Sequence, residues 1–106
     1  MEDAEFILIA KALADPTRRQ ILRRIREGRE VTCSCVCDSF PLSQPTISHH
    51  IKSLEGAGLL NVRRDGQFHV LTVNETKLRE FAGQVSPLAP GEKPARPRKS
   101  SPRPIR

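Results

Sequence analysis

The 106 residues predict a mainly α domain with one small β-hairpin. Three observations carry that prediction. Apolar residues recur at helical spacing in five segments separated by helix-stop and helix-start signals. Two extended runs, Leu59–Arg64 and Gln67–Val73, flank Asp65-Gly66, a dipeptide favoured in tight hairpin turns. From Ser86 the composition changes: that stretch holds six of the nine prolines and six Lys and Arg against Glu92. Residues 1–85 therefore read as the domain and 86–106 as a disordered Pro/Arg/Lys-rich basic tail.

Ala4 to Leu13 places Phe6, Ile9, Ala10 and Leu13 at helical spacing, a first helix. Asp15 can cap the next helix and Pro16 suits its first position, where a missing N–H costs little. Ile21, Leu22 and Ile25 then face inward. Arg18, Arg19, Arg23, Arg24 and Arg26 cover the outside, as a solvated face or as phosphate contacts, and Gly28 ends the helix. Glu30-Val31-Thr32 is a short extended stretch with Thr32 as the cap of a short helix, Cys33 to Phe40. Val36, Cys37 and Phe40 point inward from it, and Pro41 breaks it.

Leu42 to Leu60 reads LSQPTISHHIKSLEGAGLL. Ser43 is a good N-cap and Pro45 lies in the first turn. Ile47, Ile51 and Leu54 form one apolar stripe. The other face carries Gln44, Thr46, Ser48, His49 and Lys52, with no carboxylate until Glu55, and Gly56 and Gly58 stop the helix. Short donors and acceptors, one cation and no acid suit a helix lying in a DNA major groove, where base edges are read by hydrogen bonds and phosphates repel acids. Two short helices joined by a tight turn, the second carrying this face, make a helix-turn-helix. The hairpin that follows is a wing, with Arg63, Arg64 and Gln67 at its tip for phosphate or minor-groove contact. Asn74 caps a last helix, Glu75 to Val85, with Leu78, Phe81, Ala82 and Val85 on one face. The apolar stripes of the first and last helices exceed what so small a core can bury. They are expected to pack together across a two-fold axis, giving a homodimer with two recognition helices.

Net charge is +6, but residues 1–85 hold 12 Lys and Arg against 11 Asp and Glu, so the basic excess lies in the tail and is a poor argument for a DNA-binding body. No apolar run reaches membrane-span length, and the acidic start lacks the form of a secretory signal. A cytoplasmic protein with reduced thiols is expected, and Cys33, Cys35 and Cys37 do not look like a disulfide framework. No catalytic constellation is visible: His49, His50 and His69 have no carboxylate beside them in sequence to orient a base, so no enzyme is expected.

ALADPTRRQIL, LSQPTISHHIKSLEGAGLL and the RRDGQ hairpin, in the order helix, helix, short helix, recognition helix, wing, helix, resemble the ArsR/SmtB family of bacterial repressors over residues 4–85. The resemblance implies a homodimeric winged helix-turn-helix that represses transcription by binding double-stranded operator DNA and leaves it when an effector binds. It implies base reading by Gln44, Ser48 and His49, with Thr46 and Lys52 on the same face and Arg64 and Gln67 on the backbone. Pro45 stands where some relatives have a hydroxyl donor. One family sensor site uses carboxylate and imidazole ligands on the last helix. Here those places hold Glu75 and Lys77, and an ammonium is a poor ligand at neutral pH, so that zinc-type site is expected to be absent.

The other family site places cysteines at the start of the short third helix. Cys33, Cys35 and Cys37 lie there in CxCxC spacing, shifted by one from the arsenic-sensing pattern. Three thiolates suit arsenite or antimonite, or Cu(I) or Zn(II) with another donor, and a helix N-terminus favours the thiolate. Cys33 and Cys37 share a face at i, i+4, while Cys35 points away and looks exposed. Release by a metalloid, metal or oxidant stands beside a purely structural role for these thiols. Two other classes of function stay open on sequence alone: a thiol-based metal buffer or chaperone, and a protein–protein module on this fold.

Overall fold

A computed structural model describes residues 1–88. Five helices and three short strands follow in the order α1 (Asp3–Leu13), α2 (Pro16–Gly28), β1 (Val31–Thr32), α3 (Cys33–Ser39), α4 (Gln44–Gly56), β2 (Leu60–Asp65), β3 (Phe68–Val73) and α5 (Glu75–Val85), with a 3-10 turn at Ser86–Leu88. The residues beyond Leu88, most of the basic tail, lie outside the described part. Among the described residues no helix is long and apolar enough to cross a membrane.

Local capping sets the helix starts. The Asp15 carboxylate accepts from the backbone N–H groups of Thr17 (2.8 Å) and Arg18 (3.2 Å), and Pro16 follows it at the first helical position. Thr32 caps α3 through the Cys35 N–H, Ser43 caps α4 through the Thr46 N–H, and Asn74 caps α5 through the Lys77 N–H. Each cap satisfies an amide that the first turn cannot pair internally, worth about 1 kcal/mol.

Helix ends follow the sequence reading at α2 and depart from it at α4. Gly28 is the last residue of α2, and Arg29 carries the turn that follows, at φ 67 and ψ −70. The Glu30 N–H bonds the Gly28 carbonyl at 2.8 Å across Arg29, a γ-turn of the strained hand. Glycine is needed at 28 for space: a Cβ there would meet Val31 Cγ2 at 2.5 Å. In α4 only Gly58 is the stop, at φ 82, with the Leu59 N–H on the Leu54 carbonyl and the Gly58 N–H on the Glu55 carbonyl. These are the two bonds of a Schellman motif, and Gly56 is still helical.

β1, β3 and β2 form one antiparallel sheet in that order, Val31 opposite Leu71 and Leu60 opposite Val73. The register pairs Asp65 with Phe68, so the hairpin loop is Gly66-Gln67, one residue later than Asp65-Gly66. Gly66 alone has positive φ (64), which is what a II′ turn asks of its first central residue.

The core lies between α2, α3, α4 and the sheet: Ile21, Ile25, Val36, Ile47, Leu54, Leu59 and Leu71 are fully buried, and Ile9 and Ala12 join them from α1. α5 contributes no buried residue. It meets α1 through stacked Phe6 and Phe81 rings, with centroids 4.8 Å apart, and through an ion pair from Lys77 to Glu5 at 3.0 Å.

Candidate nucleic-acid interface

The stripe Ile47, Ile51, Leu54 is buried throughout, and this fixes the rotation of α4. The opposite face is therefore presented to solvent: Gln44, Thr46, Ser48, His49 and Lys52 are all exposed. They are not equivalent in place or in freedom. His49 and Lys52 stand near the centre of the outward arc. Gln44, at the first helical position, leans toward α3 and borders a groove with Cys33, Ser34, Cys37 and Asp38. The Thr46 hydroxyl is 2.8 Å from the Ser43 hydroxyl, so part of its hydrogen-bonding capacity is spent at the helix cap. Ser48, Lys52 and Glu55 of α4 border a second groove, about 250 Å³, shared with Val62 and His69 of the wing and with Cys33. The helix and the wing thus form one continuous surface.

On the wing, strand alternation sends Arg63 and Arg64 to opposite faces. Arg63 reaches Glu30 at 3.5 Å, next to β1. Arg64, opposite His69, makes no ion pair among the described residues, and Gln67 lies exposed in the turn. Phe68, next to the tip, is 50% exposed. Period-2 reading did not single it out, because a lone aromatic at a strand end looks like core.

The arginines of α2 are not simply a solvated rank. Arg26 pairs with Glu75 at 2.9 Å. Arg24 donates to the Ser39 hydroxyl and, through Nη2, to Cys35 Sγ at 3.3 Å. Arg18 donates through Nε to His50 Nδ1 at 3.2 Å, and its backbone N–H is the main cause holding the Asp15 carboxyl below its usual range. His50, next to His49 in sequence, is half-buried on the α1–α2 side rather than on the outward face.

The thiols depart from expectation. Cys35 is half-buried rather than exposed, because the short α3 packs that side onto α2 and its sulfur takes the Arg24 guanidinium. Cys33 and Cys37 share the groove beside Gln44. Burial pushes the Cys33 thiol up, with Cys37 adding to it, so the expected favouring of the thiolate by the helix N-terminus does not prevail there. Among the described residues no three His, Cys, Asp or Glu side chains gather in a metal-holding arrangement. The structure brings Cys33 and Cys37 together and leaves Cys35 with Arg24. At the start of α5, Glu75 is held by Arg26 and Lys77 by Glu5.

A profile of a helix-turn-helix domain family matches residues 13–63. The transcriptional repressor SdpR of Bacillus subtilis is 38% identical over 72 residues, covering 68% of this chain and 79% of that protein. An arsenical resistance operon repressor of Staphylococcus xylosus is 38% identical over 74 residues, covering 70% of each. A homodimeric winged helix-turn-helix DNA-binding domain from Mycobacterium bovis, solved by NMR, superposes with a TM-score of 0.67 at 27% identity, over 80% of this chain and 85% of that one.

Proposed function

The chain belongs to the ArsR family of winged helix-turn-helix transcriptional repressors, and from that premise we propose that it is a homodimer that binds double-stranded operator DNA through α4 and its wing. The observation that carries the reading is the outward face of α4. It is exposed, polar and free of carboxylates until Glu55, and a fully buried apolar stripe holds it at a fixed rotation. His49, Lys52 and Ser48 read base edges and adjoining phosphates, Gln44 and Thr46 meet the duplex at the helix start, and Arg64 and Gln67 grip the flanking backbone. The exposed apolar residues of α1, with Phe81, Val85 and Leu88 at the other terminus, form the two-fold contact. The basic tail adds sequence-independent phosphate attraction. A gel shift with the DNA upstream of the chain's own coding sequence tests this: retardation that survives excess random duplex is expected, and none at low salt contradicts it.

The effector we assign to the Cys33–Cys37 groove is a soft thiophilic ion or metalloid, as the names of the arsenical-resistance relatives suggest. Side chains at i, i+4 hold their Cβ atoms about 5–6 Å apart, too far for the roughly 3.8 Å of a disulfide but within reach of an ion bound to two sulfurs. A three-sulfur site requires Cys35 to leave Arg24 first. Because Gln44 lines the same groove, occupation there displaces the start of the recognition helix. Arsenite should release wild-type protein from DNA and leave Cys33→Ser bound; release of both excludes Cys33 as a ligand.

A further inference from the structure

We propose that Arg18 and His50 are a positioning pair, which seats the recognition helix on the α1–α2 corner and makes operator selectivity depend on an unprotonated imidazole. The inference rests on the DNA-binding reading above. His50 and Arg18 are 32 residues apart, yet the guanidinium Nε–H donates to His50 Nδ1 at 3.2 Å, and Nη1 of the same side chain reaches the Lys11 carbonyl at 3.4 Å. One half-buried arginine thus touches the last turn of α1, its own helix and the middle of α4. Its backbone is fixed as well, since its N–H is one of the two that the Asp15 carboxylate caps. A donor so constrained defines where the His50 ring must sit. That ring adjoins His49 on the outward face, with centroids 6.0 Å apart. The buried stripe fixes the rotation of α4 about its axis, and the Arg18 contact adds a directional bond that resists tilt.

Nδ1 accepts, so the hydrogen of the neutral ring is on Nε2. A second proton would occupy Nδ1, abolish the acceptor and set imidazolium against guanidinium. The charged and titratable groups around the ring are Arg18 and Asp15 at the start of α2, Lys11 on α1 and His49 on its own helix. Asp15 is the one acid among them; its carboxylate caps α2 and is also coupled by charge to the His50 ring. A groove of about 270 Å³ between α1 and α4, lined by Arg18, Lys11 and Ser53, opens beside the pair and gives the solvent a path.

Imidazole nitrogen NMR on the free chain reads the first half of the claim: His50 should carry its hydrogen on Nε2, and a hydrogen on Nδ1 overturns the pair with no DNA present. Anisotropy with operator and random duplexes, from about pH 8 to about pH 5, reads the second half across the range where imidazole changes charge. The wild-type preference for operator should fall about tenfold on acidification, the scale of one hydrogen bond to a charged group. His50→Asn presents an amide oxygen near the place of Nδ1 and carries no proton-accepting ring there, so its preference should fall clearly less than that of the wild type, leaving only what His49 contributes in both. Arg18→Met should show the lowered preference at every pH. Matching pH profiles for wild type and His50→Asn, or undiminished preference in a folded Arg18→Met, overturn the inference. A wild-type chain that binds no duplex at any pH defeats the DNA reading and this inference with it, while the NMR result still reports whether the pair exists.

Discussion

The half of the molecule beneath the recognition helix is closed within one chain, whereas the layer of first and last helices is left open. Under α4, seven large side chains from α2, α3, α4, the loop after α4 and β3 reach zero exposure. In the terminal layer α1 seats only Ile9 and Ala12 in that core, and α5 buries nothing completely. Ile7 and Leu8 on α1 are each 51% exposed, and Val85 and Leu88 are 40% and 73% exposed. The first half needs only its own sequence to hold the reading face at a fixed rotation. The second presents enough apolar surface to gain from a second copy, and it is tied meanwhile by an aromatic stack and an ion pair. Positioning and pairing are thus separate tasks, met by separate parts of the fold.

The largest effect that would break this contrast is in the closed half. Leu54→Ala should cost about 2–5 kcal/mol in denaturant unfolding, because a fully buried side chain leaves a cavity. A cost below 1 kcal/mol would mean that the core is not as closed as described. His49→Ala should weaken operator binding by about 1–3 kcal/mol while leaving the unfolding midpoint unchanged. A shift in the midpoint instead would make that ring a packing residue. Val85→Asp, in the open half, should alter the stability of the isolated subunit by no more than about 0.5 kcal/mol, yet move sedimentation toward the monomer. An unaltered dimer would place the two-fold contact elsewhere.

The smallest effect is electrostatic. The hydrogen bond from Lys77 holds the Glu5 carboxyl below its ordinary value of 4.5, and the same bond raises the Lys77 ammonium above 10.5. For Glu5 the contribution is present above the unfolded value and is lost as pH falls through the lower folded one. For Lys77 it is present below the unfolded value and is lost as pH rises through the higher folded one. The bridge is complete between these limits. Glu5→Gln should therefore lower the thermal midpoint slightly at neutral pH, with the difference from wild type vanishing in acid. A difference that persists in acid would point to packing rather than charge.

What the sequence made legible was what short-range rules govern. The caps at Asp15, Thr32, Ser43 and Asn74, the stripe through Ile47, Ile51 and Leu54, and the stop at Gly58 all depend on neighbours within five residues. The exposure of Gln44, Thr46, Ser48, His49 and Lys52 followed from the same periodicity. Illegible were the contacts set by how the helices stack. Nothing in the local pattern ties Arg18 to His50, or Arg24 to Cys35, and so Cys35 looked exposed and His50 was assigned no partner. The need for glycine at 28 was hidden for a related reason. Gly28 was read as the end of the helix and is its last residue, but the close approach of Val31 that demands glycine there is set by how β1 packs and not by the local pattern. The likeness to the thiol-bearing site of relatives located the three cysteines, and the i, i+4 spacing already placed Cys33 and Cys37 on one face.

The most direct test of the account is a titration of labelled upstream DNA with the purified full chain, followed by anisotropy with and without excess random duplex, with the stoichiometry read at saturation. Two chains per duplex site and binding that resists the random competitor are the predicted result. One chain per site, or affinity that random DNA removes entirely, would contradict a symmetric pair of reading helices.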